Sequence, residues 1–477
     1  MVNNVLQRNK RKFVELNFVN VAIILFGLHI PFLIAYFPGL MIYDTGSSIA
    51  QFYGIKTHVV EMSAIPNAVL SNHHMIILTF VFGAFIKLGE LFGSQSIGFF
   101  LFILLQLCFF CCVSSYALIT IKKNLTRIET VIFLLIYSLF LPISLWMITM
   151  SKVSFFYILF LLFIVLLYRY EKSQGQALER RKYRLMIIGT CMGLTLTKQQ
   201  GIYIVIICAL YIMLRERKRI WKTIYTFLLP SIAYQIIIVM ILLPFLNVAP
   251  SGKQEMLGFM FQQTALSVIE NTESITEEEK EAIDNVLPYE KLPDIYVPDS
   301  QDNVKFQFNQ MATSESVRNY VLTWFKMFFK YPGSYFKATF LNCQGFFTPN
   351  SSEFTKNSFM PIRIENSILS QHSEFNLSNP KTPVYTVIQV IVDKINATPL
   401  VSAIFRCFFY VWLGIIVCVV SIIRNKKVVY YVFPIIVTML FFVISPVVEF
   451  RYVFPLVITE PFLTLIVLYQ IRVRLVN

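Results

Sequence analysis

Charge is scarce in this chain. Asp, Glu, Lys and Arg supply 14% of its 477 residues, where soluble domains carry about 25%. With 56% hydrophobic residues, an ordinary soluble enzyme is excluded. The usual soluble motifs are missing too. There is no P-loop, no dinucleotide-binding glycine pattern, no HExxH and no zinc spacing, so ATP-driven transport has no support. No GxSxG elbow supports nucleophilic hydrolysis. Cys108, Cys111, Cys112, Cys191, Cys208, Cys407 and Cys418 lie in apolar stretches, where a thiol behaves as a small hydrophobe. Cys343 alone falls in a polar region, so no disulfide framework emerges. Repeats and low-complexity tracts are absent.

What is present is a series of apolar runs approaching the roughly 20 residues that a spanning helix needs. A β-barrel would show short alternating segments instead. The net charge of +14 is not gathered on one face, so nucleic acid is not the partner. The basic residues cluster between apolar runs, at Arg8–Lys12, Lys122–Arg127, Arg169–Arg184, Arg215–Lys222, Arg424–Lys427, and Arg472 with Arg474. This is the positive-inside pattern of a multi-pass membrane protein with cytoplasmic termini. The N-terminal run, with no small-residue cleavage site after it, reads as an uncleaved anchor.

Placing every basic cluster in the cytoplasm predicts about ten spans. They fall near 17–37, 95–121, 128–148, 153–170, two arms within 185–214, 223–246, 397–422, 428–445 and 453–471. The apolar segment 75–92 then becomes a partial or interfacial helix, because a full crossing would put Lys122–Arg127 outside. The alternative is a true span with one loop breaking the rule. In 185–214 each arm is roughly 20 Å of helix, shorter than the hydrocarbon core of about 30 Å. The turn Thr197-Lys198-Gln199-Gln200-Gly201 would sit below the surface, where a lysine needs water or an anion. One long tilted helix with Lys198 facing a protein neighbour is the other reading.

The fold class expected is an all-α polytopic membrane protein. It comprises an N-terminal membrane module, 1–246, with an outer loop at 38–94, a mostly helical outer domain, 247–396, and C-terminal membrane helices, 397–477. In the outer domain, helical periodicity spans 254–271. Thr276-x-x-Glu279 reads as a capping box opening a helix to about Leu287. The aromatic, lysine-interleaved stretch 314–341 suits either an interfacial helix pair or a plain hydrophobic core.

Polar groups expected at the outer membrane level come from distant parts of the chain. They are Asp44, Ser71-Asn72-His73-His74, Lys152, Lys198 with Gln199 and Gln200, and Glu449 with Arg451 and Tyr452. Cations can hold a phosphate at the lipid boundary while a carboxylate takes a proton from an attacking hydroxyl. Each residue also has a plainer reading. The histidines could cap the following helix, Lys152 could snorkel, and Glu449 could pair with Arg451.

The order of these features resembles the GT-C superfamily of membrane glycosyltransferases. Asp44 matches the acidic residue after the first span. Ser71-Asn72-His73-His74-Met75-Ile76-Ile77-Leu78-Thr79 resembles a "His-His-Pro" helix start, with Met75 where proline is common. More narrowly, the chain resembles an uncharacterised, mainly Gram-positive bacterial membrane-protein family within that superfamily. Its marks here are Asp44-Thr45-Gly46-Ser47-Ser48-Ile49-Ala50-Gln51, Phe261-Gln262-Gln263-Thr264-Ala265, Asp302-Asn303-Val304-Lys305 and Arg451-Tyr452-Val453-Phe454-Pro455. One departure is Met150-Ser151-Lys152-Val153-Ser154, which lacks the second acid many such enzymes carry. The resemblance therefore implies no cofactor and a metal-independent reaction, or a divalent metal held in some other way.

It implies inverting transfer of a hexose from a polyprenyl-phosphate donor at the outer face of the bacterial cytoplasmic membrane. The acceptor would be a cell-envelope glycan, teichoic acid, lipid or protein. Asp44 would be the base, and Lys198, Arg451 and Lys152 would bind the donor phosphate. His73, His74, Gln199, Gln262, Gln263 and Tyr452 would contact substrate. The rival readings are a lipid-linked glycan flippase, a polysaccharide polymerase or ligase, and a scaffold without activity.

Overall fold

Backbone polar groups in hydrocarbon must pair within the chain, so apolar runs of this length fold as helices. A computed structural model describes residues 16–61, 68–349, 359–424 and 429–476. The basic run Arg8–Lys12, and Lys426 with Lys427, lie outside the described residues.

In chain order the main elements begin with α1 (Phe18–Ala35), β1 (Leu40–Met41), α2 (Tyr43–Phe52), α3 (Ile76–Leu91) and α4 (Gln95–Ile121). Then come α5 (Arg127–Leu139), α6 (Leu141–Met147), β2 (Thr149–Met150), α7 (Lys152–Lys172), α8 (Arg181–Thr197) and α9 (Gln199–Arg215). The helical stretch Arg217–Phe245, here α10, includes two wide π-helical segments. The polar region contributes α11 (Gln254–Glu270), α12 (Glu277–Asp284), α13 (Ser314–Lys330), α14 (Pro332–Cys343) and α15 (Pro383–Ala397). The chain closes with α16 (Cys407–Arg424), α17 (Val429–Val443) and α18 (Phe450–Val476).

Among the described residues, 6 helices are long and apolar enough to cross a membrane: α1, α4, α7, α10, α16 and α18. The chain is thus an all-α membrane protein. The pair α5–α6 makes up to 7, although it bends by 52°. The bend follows from Pro142, which has no N–H for the Ser138 carbonyl; the Ser144 hydroxyl donates to it instead, at 2.9 Å. The other expected spans fall on shorter helices. α8 and α9 have 17 residues each and α17 has 15, roughly 23–26 Å of rise. α3, with 16 residues, lies along α4.

The central element is α7, packed by α4, α8, α17 and α18, with nearly every side chain from Val153 to Tyr170 buried. A second core lies in the polar region, around Phe261, Ile283, Leu292, Val304, Tyr320 and Tyr335. The rest of 247–396 divides differently. Phe359, Ile364, Leu369 and Ile388 belong to the membrane-helix core, and α15 packs on α1. The capping box at Thr276 and Glu279 forms as its spacing predicts, and the helix it opens ends at Asp284.

Helices α3 and α4 touch backbone to backbone. A Cβ on Gly98 would come within 1.9 Å of the Phe85 carbonyl oxygen, and one on Gly89 within 2.4 Å of the Gly98 nitrogen. Small residues permit such contacts between membrane helices. At an open helical site Gly→Ala stabilises by about 0.4–1 kcal/mol. Here the clash reverses the sign, and Gly98→Ala is expected to cost about 1–3 kcal/mol. A melting temperature in detergent at or above wild type would contradict the close approach.

Candidate functional site

Two very short strands position the site. β1 and β2 pair in parallel, Leu40 opposite Thr149 and Met41 opposite Met150. The Gln106 amide holds the second strand from α4, donating to the Met147 and Thr149 carbonyls at 2.9 Å. Met41 also bridges Ile362, so both edges of β1 are occupied. Each strand runs directly into a helix. Asp44, in the first turn of α2, therefore lies beside Lys152, the first residue of α7. The Thr45 hydroxyl locks the offset by donating to the Met150 carbonyl at 2.7 Å. Ser151 caps α7 by accepting from the Val153 and Ser154 amides.

Arg451 arrives from the start of α18. Pro455 cannot donate to the Arg451 carbonyl, and the Tyr157 hydroxyl of α7 does so at 2.6 Å. Lys198 sits at the break between α8 and α9, in extended conformation (φ −154°, ψ 134°). The turn is tight: a Cβ on Gly201 would lie 2.1 Å from the Leu194 carbonyl oxygen. The histidines come on a 3-10 turn, Asn72–His74, hung on the chain before α11 by Asn72 N–H to Ala249 O at 2.8 Å. Met75 follows with φ 53°, a left-handed conformation closed to proline. This turn therefore differs in backbone from a "His-His-Pro" start.

Around Asp44 the geometry is dense. Its Oδ2 lies 3.1 Å from Lys152 Nζ and 3.8 Å from His74 Nδ1, and its Oδ1 lies 3.7 Å from Arg451 Nη1. Lys152 Nζ also meets His74 Nδ1 at 3.0 Å. Arg451 pairs with Glu449, Nε to Oε2 at 2.5 Å. Burial pushes the Asp44 carboxyl up, but Lys152 and Arg451 outweigh it and hold the group well below the usual carboxylate range. Burial, reinforced by the Lys152 charge, lowers His73 and takes His74 well below its ordinary value. His74 is thus neutral, its Nδ1 accepting from the Lys152 ammonium. Burial raises Glu449 despite Arg451 beside it.

A cavity of about 330 Å³ has Asp44, His73, Lys152, Lys198, Gln199, Gln200, Arg451 and Tyr452 on its walls. Lys198 differs from the other cations. Its ammonium stands 5.4 Å from the Phe156 ring centre and 5.2 Å from that of Tyr452. Among the described residues no carboxylate lies within ion-pair distance of it.

Gln262 and Gln263 do not join the cavity. Both are buried in the polar region, where Gln262 donates to the Val297 carbonyl at 2.6 Å. Gln263 donates to Thr339 Oγ1 at 2.9 Å and accepts from the Trp324 indole at 3.2 Å. In the interior of that helix bundle both amide nitrogens are engaged by protein groups. His74 lies behind His73, the two rings 4.5 Å apart. His73 faces the cavity and meets Ser251 Oγ at 3.2 Å.

One wall carries residues that the sequence did not single out as site candidates, although Asp302 and Lys305 stand in the Asp302-Asn303-Val304-Lys305 mark. Glu255, Asp302 and Lys305 come from the polar region, Lys305 Nζ lying 2.7 Å from Asp302 Oδ1 and 3.1 Å from Glu255 Oε2. The available signal was the Asp302–Lys305 spacing, which sets an acid and a base on one side of a helical turn. Among the described residues no three His, Cys, Asp or Glu side chains gather as a metal ion would need.

The chain belongs to a family of unknown function, DUF6020, whose model matches residues 41–476. No curated protein and no solved structure matches it.

The neutral histidines set a pH dependence. Unfolded imidazoles protonate near 6.5; these do so only at lower pH, so the unfolded state binds more protons as pH falls and stability drops with it. Glu449 acts oppositely at the acid end, since its native form holds its proton more tightly. Between about pH 7.5 and 5.5 the melting temperature should fall, and fall less in a His73→Gln/His74→Gln variant. Equal falls would contradict neutral burial of this pair.

Proposed function

We propose that this DUF6020 protein is a GT-C-type glycosyltransferase, moving a hexose from a polyprenyl-phosphate donor to a cell-envelope acceptor. The setting is the outer face of the bacterial cytoplasmic membrane, with both termini cytoplasmic. The observation that carries the reading is Lys198, which among the described residues has no carboxylate within ion-pair distance and shares one cavity with Arg451 and Asp44. An anion between Lys198 and Arg451 places its ester bond within reach of a base.

The chemistry follows from these positions. The acceptor hydroxyl oxygen attacks the anomeric carbon from the side opposite the phosphate. The bond from that carbon to the phosphate oxygen breaks, and the polyprenyl phosphate leaves with the electron pair. Lys198 and Arg451, with Lys152 behind, meet the charge that develops on the leaving oxygen. The acceptor proton passes to Asp44. A single displacement of this kind inverts the anomeric centre.

In the resting cavity Asp44 is a weak base, because Lys152 and Arg451 stabilise its charged form. An incoming phosphate competes for those cations and raises the basicity of Asp44 where the proton must be taken. Gln199 and Tyr452 line the same space and supply polar contacts for the sugar. No step is assigned to a metal, since the carboxylates present are engaged by Lys and Arg.

The test is transfer from a labelled polyprenyl-phosphate hexose by purified protein, with teichoic acid, wall glycan and lipid acceptors offered in turn. Asp44→Asn is expected to reduce turnover by about 10²–10⁴-fold. A flippase would use the same cations with no base, so unchanged lipid movement in liposomes with Asp44→Asn, and no transfer by wild type, would overturn the reading.

A further inference from the structure

Helix α13 has two apolar faces. Tyr320, Trp324 and Met327 pack into the polar-region core. Leu322, Phe325 and Phe329 point away from it and are 51%, 51% and 79% exposed. On α14, Phe336 and Phe340 are 66% and 57% exposed. Phe328 joins the two helices, its ring 5.3 Å from Phe329 and 5.9 Å from Phe336. Scattered exposed apolar residues are ordinary. A continuous patch of this kind marks an interaction surface.

What covers it follows from where the hairpin sits. α14 packs on α17, one of the apolar helices of the membrane bundle. The Asn342 amide donates to the Ser445 carbonyl just beyond α17 at 2.7 Å, and the Trp412 indole of α16 donates to Phe347 O at 2.9 Å. Both contacts tie the end of α14 to the rim of the membrane helices. The exposed Leu440 and Ile444 at that end of α17 extend the same apolar belt. Basic residues border the patch: Lys326 stands exposed beside Phe325. Lys330 and Lys337 pair with Glu279 and Glu270 at 3.0 and 2.5 Å. Exposed aromatics with lysines beside them are what an interfacial helix presents to a bilayer.

We propose that the α13–α14 hairpin inserts into the lipid leaflet on the polar region's side, with Phe329, Phe336 and Phe340 among the acyl chains and the lysines at the phosphates. The hairpin thereby sets the height of the cavity's far wall, because α11, which carries Glu255, packs on α14. This inference stands whether or not the cavity performs sugar transfer.

The experiment uses full-length protein in nanodiscs, one copy per disc, with Cys108 and Cys112 changed to Ala. Single cysteines replace Phe329, Phe336 or, as a reference on exposed α12, Glu278, and carry an environment-sensitive bimane. These three positions face outward, so folding is not at stake, and elution as a single peak checks it. A nitroxide near the lipid headgroup should dim the labels at 329 and 336 at least ~2-fold more than aqueous iodide does, with the order reversed at 278. Iodide quenching at 329 and 336 equal to that at 278 would overturn the proposal by leaving the patch in water. Shielding from both quenchers would overturn it equally, because a protein surface would then be the occupant.

Discussion

Everything at the cavity depends on four residues of parallel strand. Leu40–Met41 and Thr149–Met150 hold each other in a register that no helix could supply. The register sets the first turn of α2 against the first turn of α7, and so sets Asp44 against Lys152 at 3.1 Å. The strands are too short to stand alone. They persist because Gln106, Thr45 and Ile362 occupy the remaining backbone groups. A similar economy brings in Arg451. A proline on α18 leaves one carbonyl open, and a tyrosine of α7 takes it.

The electrostatics of the cavity are those of near-complete internal pairing. Asp44 answers Lys152 and Arg451, Glu449 answers Arg451, and Glu255 with Asp302 answers Lys305. Pairing of this kind makes buried charge tolerable, and removing one partner is costly. Lys198 stands outside the scheme: among the described residues no carboxylate lies within ion-pair distance of it, and its ammonium faces the Phe156 and Tyr452 rings. Cation–π contact replaces part of a lost hydration shell, about 0.5–2 kcal/mol of it. In the function proposed above, the donor phosphate supplies the remainder. The polarity of the two walls also differs. Cations dominate at the membrane helices, while the polar region contributes two carboxylates against one lysine.

Much of this was legible in the sequence, for identifiable reasons. Scarce charge and long apolar runs state the membrane class directly. Local signals held as well: Thr276 and Glu279 form their box, and the helix expected over 254–271 spans Gln254–Glu270. The break at Lys198 followed from arm length and charge alone. Asp44, His73, Lys152, Lys198, Gln199, Arg451 and Tyr452 share one cavity, because polar residues at the ends of apolar helices gather where they can pair with one another. Gln262 and Gln263 lie away from that cavity, since an amide in a helix bundle finds neighbours that sequence spacing does not reveal. Glu255 was not singled out, and Lys305 stood only in a family mark, because their place on the cavity wall emerges only when the polar region is folded onto the membrane helices. The stretch 314–341 sends one face into the core, as one of its two readings expects, and leaves the other exposed.

The central claim is that Lys198 awaits a phosphate beside a carboxylate. Equilibrium binding of a short-chain polyprenyl phosphate to the protein in nanodiscs tests it by sign. Lys198→Met should weaken binding by ~10-fold or more, about 1.4 kcal/mol. Asp44→Asn, which removes a negative charge from the same cavity, should leave binding intact or tighten it. Wild-type affinity in Lys198→Met, or a loss in Asp44→Asn as large as that in Lys198→Met, would contradict the account.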